Sequence, residues 1–207
     1  MATATELSWP HTLLRPWIRY SIIIMTTSNN QNTNQQTANN LAKSLSHLDS
    51  DGDIHMVDVS GKTATTREAH ATGRVRFPKD IYKEIKAVDG MTKKGSIIQT
   101  AHIAGIMAAK RTHDLIPLCH PLPLDKIGLS FTYSDELDAI TVTATVKVTH
   151  KTGVEMEALT AVSVACLTLY DMTKALSHDI VIEDIRLVTK TGGKSDYQHT
   201  DAVVGSI

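Results

Sequence analysis

Apolar and polar residues alternate strictly in two neighbouring stretches of the chain, and that alternation predicts a β-hairpin. Ile127, Leu129, Phe131 and Tyr133 interleave with Gly128, Ser130 and Thr132, while Ile140, Val142, Ala144, Val146 and Val148 interleave with Thr141, Thr143, Thr145 and Lys147. The polar connection SDELD makes the pair antiparallel, with one face buried. Elsewhere the spacing is helical. Lys79 to Val88 predicts a short amphipathic helix that stops at the Asp89-Gly90 turn signal. Ser96 is a candidate N-cap for a helix reaching about Lys110, and Pro117 forbids its continuation. Ala101, Ala104, Gly105, Ala108 and Ala109 on that helix let another backbone approach closely, so it is expected to lie between neighbours. Gly153 to Leu176 reads as a long helix that is apolar almost all round. Further strands are expected near Ile54, in HMVDVS, at Arg74 to Phe77 before Pro78, and at Ile180 to Thr189. Mixed strands and helices around an antiparallel sheet give an α+β fold.

Composition narrows the class. The chain has 207 residues, 42% of them hydrophobic, which is enough for a substantial core. Its formal net charge of -1 removes the broad electrostatic attraction behind non-specific nucleic-acid binding, so any anion must be met by a local cluster of cations. The two cysteines, Cys119 and Cys166, show no CxxC spacing and argue against a disulfide framework or a structural zinc site. A reducing, cytoplasmic setting is expected. No stretch approaches the roughly 20 apolar residues of a membrane span, so no membrane association is expected. From Thr26 to Asn40 the chain is Asn, Gln and Thr with almost nothing to bury. Residues 1–50 are therefore expected to form a disordered extension, and 51–207 the folded domain.

Candidate chemistry gathers in a few blocks. Asp171 and Lys174 in LYDMTKAL share one helix face. An exposed ion pair is the plain reading, but Ala165, Leu167, Leu169 and Met172 surround them, which predicts a pocket where an acid and an amine exchange protons. Lys110 and Arg111 suit a helix C-terminus whatever the function. Pro117 and Pro121 stiffen a loop that presents Cys119 and His120, with ligand contact by His120 favoured over nucleophilic or metal chemistry. Glu155 and Glu157 complement the dipole at the start of the long helix. KTGGKS, from Lys190 to Ser195, is not a P-loop, because Val188 fills the place of the first glycine, yet its two lysines can close over phosphates.

Taken together, HMVDVSGKTATTREA, GIMAAKRTHDLIPLCHPL, KTGVEMEALTAVSVACLTLYDMTKA and KTGGKS closely resemble the cyclic pyranopterin monophosphate synthase family of molybdenum-cofactor (molybdopterin) biosynthesis. The resemblance runs from about His55 to Ser195. It implies a ferredoxin-like subunit assembled as a trimer of dimers. It also implies a lyase that turns (8S)-3',8-cyclo-7,8-dihydroguanosine 5'-triphosphate into cyclic pyranopterin monophosphate and diphosphate, with no cofactor and no metal. By motif position, Asp171, Lys174 and Lys94 correspond to catalytic residues. Leu118, Cys119, His120, Met156, Glu157 and Lys190 correspond to substrate-binding ones, and Arg67 is assigned to a phosphate. A catalytic lysine near other cations is expected to have a lowered pKa. Glu157 and Asp171, 14 positions apart on one helix, would lie about 21 Å from each other, so the site is expected to be shared between subunits. Two rival readings are a non-catalytic pterin or nucleotide carrier and a metal-dependent hydrolase built on Cys119, His120 and His113.

Overall fold

The computed structural model describes residues 47–48, 53–93 and 95–200, all within one compact unit, Ser46–Ile207. The expected extension over 1–50 and the candidate Lys94 lie outside the described residues, apart from His47 and Leu48. Four long strands make the framework: β1 (Thr65–Arg76), β4 (Lys126–Ser134), β5 (Ala139–His150) and β6 (Val181–Thr191). Two-residue strands β2 (Met91–Thr92) and β3 (Gly95–Ser96) form a small ribbon, and β7 (Tyr197–Gln198) ends the main sheet. The helices are α1 (Lys79–Ala87), α2 (Ile97–Lys110), the single turn α3 (Thr112–Leu115) and α4 (Glu155–Thr173).

The main sheet runs β4-β5-β1-β6-β7, antiparallel at every step. With one helical connection after β1 and one after β5, this is the split βαβ order of a ferredoxin-like fold. One face of the sheet is covered by helices: α4 lies on β1, β5 and β6, and α2 lies on α4 and β4. Ala69, Ala71 and Val75 of β1 and Ile140 to Val148 at alternate positions of β5 are fully buried beneath them. The opposite face is polar. There Glu68 bonds His70 and Lys147 at 2.6 and 2.5 Å, and Arg74 pairs with Glu183 at 3.0 Å and with Asp184.

The hairpin forms in the predicted register, Ile127 opposite Val146 and Tyr133 opposite Ile140. Ser96 caps α2 as expected, its Oγ accepting from the Gln99 N–H at 3.2 Å. The small residues of α2 are used: a Cβ on Gly105 would come within 2.5 Å of Leu129 and 2.9 Å of the Ala161 carbonyl, so α2 is wedged between α4 and β4. Its outer face is left open, with Ile103 64% and Met107 46% exposed.

Two expected strands need correction. HMVDVS is not a strand: among the described residues the only ladder contact near it is the single bridge between Leu48 and Ile54, and Ile54 and Met56 point into solvent. Lys151 Nζ instead ties this segment down through the Ser60 carbonyl at 2.6 Å. The strand placed at Arg74 to Phe77 is the tail of the twelve-residue β1. Ala69, Ala71 and Gly73 fill its inward positions and are too small to register as apolar alternation.

Candidate active site

Two cavities adjoin where α4 begins. The first, of about 380 Å3, has three walls. The proline-stiffened loop after α3 contributes Leu118, Cys119, His120 and Leu122, with a turn closed by the Cys119 N–H donating to the Ile116 carbonyl at 3.1 Å. The start of α4 contributes Glu155, Met156 and Glu157, and the segment before β1 contributes His47, Val57, Val59 and Lys62. Five residues singled out from separate sequence blocks, Leu118, Cys119, His120, Met156 and Glu157, thus surround one space.

Glu157 is the unusual group there. It is only 4% exposed, and burial pushes its carboxyl from the ordinary 4.5 up to about 7; the charge of Glu155 adds to the rise, while a bond from its own backbone N–H opposes it. Such a carboxyl carries its proton about half the time near neutrality, which suits an acid or a base. Cys119 is different. Burial, and then the charge of Glu157, push its thiol up, so it stays protonated and is a poor nucleophile. Among the described residues no group of three or more His, Cys, Asp and Glu is placed to hold a metal ion, and His113 faces Asp114 at 3.4 Å instead of joining this cavity.

The second cavity, of about 190 Å3, shares Gly153 and Glu155 with the first. Arg67 from β1 and Lys190 from the end of β6 line it, together with Lys194 and Ser195 of the following turn. Arg67 is held by its Nε, which donates to the His150 carbonyl at 3.0 Å. Lys190 Nζ lies 3.1 Å from Glu155 Oε1. The turn itself is fixed by Thr65, whose hydroxyl donates to the Gly192 carbonyl at 2.7 Å, and by Asp196, which accepts from the Gly192 N–H at 3.1 Å. The result is a small basic recess bordering a larger, mixed one.

Asp171 and Lys174 stand apart from both cavities. They form an ion pair of 2.7 Å at the far end of α4, with side chains 68 and 55% exposed. The expected pocket does not close around them, because both side chains turn outward from a last turn whose Leu169 and Thr173 face the core. Nor is Lys174 a lysine of lowered pKa: the hydrogen bond and charge of Asp171 raise it. A cleft of about 450 Å3, lined by Met91, Thr92, Lys93, Met172, Thr173 and Leu176 among others, runs beside the pair.

Sequence reasoning missed part of the lining. Lys62 was an unremarked cation in GKTATT, and Glu155 was read as a partner of the helix dipole. The signal for Glu155 is its position two residues after Gly153 and two before Glu157, within the same block.

A model of the MoaC family matches residues 56–193. The chain belongs to the MoaC family. Among curated MoaC-family relatives named cyclic pyranopterin monophosphate synthase, one from Parvibaculum lavamentivorans is 56% identical over 76% of this chain and 98% of its own. One from Heliobacterium modesticaldum is 54% identical over 74% of this chain and 95% of its own, and one from Nostoc sp. is 56% identical over 74 and 90%. Arg67, the Leu118 to His120 loop, Met156, Glu157, Asp171, Lys174 and Lys190 all fall inside the MoaC match, whereas His47, Lys194 and Ser195 lie outside it. Among the described residues no helix is long and apolar enough to cross a membrane.

Proposed function

We propose that the chain is a lyase of molybdenum-cofactor biosynthesis that converts (8S)-3',8-cyclo-7,8-dihydroguanosine 5'-triphosphate into cyclic pyranopterin monophosphate and diphosphate. The observation that carries this reading is the contact between the two cavities: a mixed recess containing a neutral-range acid, beside a smaller recess in which Arg67, Lys190 and Lys194 outnumber Glu68 and Glu155. A volume of about 380 Å3 lies at the lower end of small-ligand sites and suits a fused heterocycle with its sugar. In that arrangement Leu118, Cys119, His120, Met156 and Glu157 hold the ring system, and Arg67 and Lys190 hold phosphate. The reaction rearranges rings and expels a polyanion. It therefore calls for protons that move near neutral pH and for fixed cations at the leaving group.

Asp171, Lys174 and Lys94 are assigned the proton transfers, from a second protomer. The 14 positions between Glu157 and Asp171 correspond to about 21 Å along α4, too far for one copy to close on one ligand. Exposed Ile103, Met107 and Leu167 on the outer sides of α2 and α4 supply apolar surface for such an assembly, here taken as a trimer of dimers. The active unit is taken to span 51–207 and to work in the cytoplasm on this small molecule, without a cofactor.

The test is direct. Purified protein incubated with the cyclic dihydro-GTP intermediate should release diphosphate and the pterin product in equal amounts. Binding without release would leave the carrier reading instead. The shared site has its own test. D171N and K190A proteins, each inactive alone, should recover part of the activity when unfolded and refolded together, because a mixed pair contains one intact centre. No recovery in verified mixed oligomers would remove the sharing.

A further inference from the structure

Glu155 is a carboxylate inside a cavity furnished for an anion. It lines both recesses, and its Oε1 is engaged with Lys190 Nζ at 3.1 Å. Both side chains are partly shielded, 28% exposed for Glu155 and 35% for Lys190, so this contact is stronger than a freely solvated pair. The other acid on that wall, Glu68, already has its own partners in Lys147 and His70. Among the described residues, the ion pair that Glu155 makes is with the lysine that a phosphate would want. Its placement also depends on Gly153: a Cβ there would fall on Glu155 Oε2, with Cδ at 2.7 Å and Oε1 at 2.9 Å. The carboxylate occupies the space that any side chain at 153 would take.

We propose that Glu155 is a stand-in anion that holds Lys190 and releases it to an incoming phosphate group, and that Gly153 is the positioning residue that makes room for it. The inference rests on the phosphate reading of the smaller cavity. No bond is made or broken; one ion pair is exchanged for another. Two consequences follow from the geometry. A ligand that reaches only Lys190 gains one contact and loses one, whereas a polyphosphate that also reaches Arg67 and Lys194 gains more than it displaces, so the exchange discriminates between them. A released Glu155 carboxylate, no longer neutralised by Lys190, also repels the ionised form of Glu157 more strongly and favours its protonated form while the phosphate is bound.

Calorimetric titration of the full chain with inorganic diphosphate and, separately, with inorganic phosphate tests this. E155Q should bind diphosphate about three- to tenfold more tightly than the parent, the range expected for removing a half-shielded competing pair. Its preference for diphosphate over phosphate should shrink. G153A, which dislodges the carboxylate without removing it, should tighten binding less, and G153A/E155Q should match E155Q. In a K190A background the E155Q effect should vanish. Unchanged or weaker diphosphate binding by E155Q overturns the inference, as does an equal gain in the K190A background, which would mark a general charge effect. Absence of diphosphate binding by the parent chain also overturns it. Turnover measured on the same samples reports separately: exchange without pterin product leaves the inference standing and removes the enzyme reading.

Discussion

Replacing Glu157 with Gln removes a titrating proton while keeping shape and volume, and its effect on stability should therefore depend on pH. The carboxyl sits 4% exposed with its pKa at about 7, against an ordinary value of 4.5. Below 4.5 it is neutral in both the folded and the unfolded chain, and the folded state has its full stability. As pH rises, the unfolded chain ionises first. The folded chain holds its proton until about 7, so stability is lost across that window and the loss is complete above it. At about 1.36 kcal/mol per unit, the gap corresponds to roughly 3 kcal/mol. Denaturant melts of the parent and E157Q proteins at pH 5, 6, 7 and 8 measure it. E157Q should be the more stable by about 1 kcal/mol or slightly less at pH 5, and the gap should widen to about 3 kcal/mol at pH 8. A difference that stays constant over this range would mean that Glu157 is not a buried proton carrier, and that the substitution acts only through packing or hydrogen bonds. Turnover should fall in the same variant, because the amide replaces a carboxyl that holds the ring system.

D171N should retain diphosphate affinity in calorimetry and lose about 10²- to 10⁴-fold in turnover, the usual range for removing a general acid or base. R67A removes a cation that lines the smaller cavity. It should raise KM by about ten- to a hundredfold with a smaller change in kcat, as expected for a charged hydrogen bond lost from binding. Gly105→Leu drives a side chain into Leu129 and the Ala161 carbonyl, and thermal melting should show a loss of at least about 1–3 kcal/mol.

How legible each element was depended on the size of its inward residues. β5 carries Ile140, Val142, Val146 and Val148 on its buried face, and simple alternation finds it. β1 is equally buried, yet its inward Ala69, Ala71 and Gly73 carry so little apolar surface that only the end near Val75 registers. HMVDVS alternates well and is still no strand, because alternation describes a face and cannot supply a partner to pair with. The site divides similarly. Motif positions found Leu118, Cys119, His120, Met156, Glu157 and Lys190 among the residues lining the two cavities, since these come from loops and element ends whose order along the chain is distinctive. The burial of Glu157 was invisible, because an acid in a first helical turn looks like a dipole partner whether or not a strap covers it. The exposure of Asp171 and Lys174 was invisible for the opposite reason: their neighbours in sequence are apolar, but Leu169 turns into the core while these two turn out.

Helix α4 is packed closely along its buried face, with Ala158, Ala161 and Ala165 fully enclosed beside Val162, Cys166 and Leu169, and the backbone of α2 pressed against Ala161. Contacts so close leave little freedom for bending, and the helix behaves as a stiff spacer. Its length then fixes the distance between neighbouring reaction centres in any paired arrangement that uses both of its ends. In the proposed shared-site assembly, a pull on its first turn as phosphate displaces Glu155 would reach its last turn, beside the neighbour's ligand, as a small axial displacement. Two centres joined by such a rod need not fire independently.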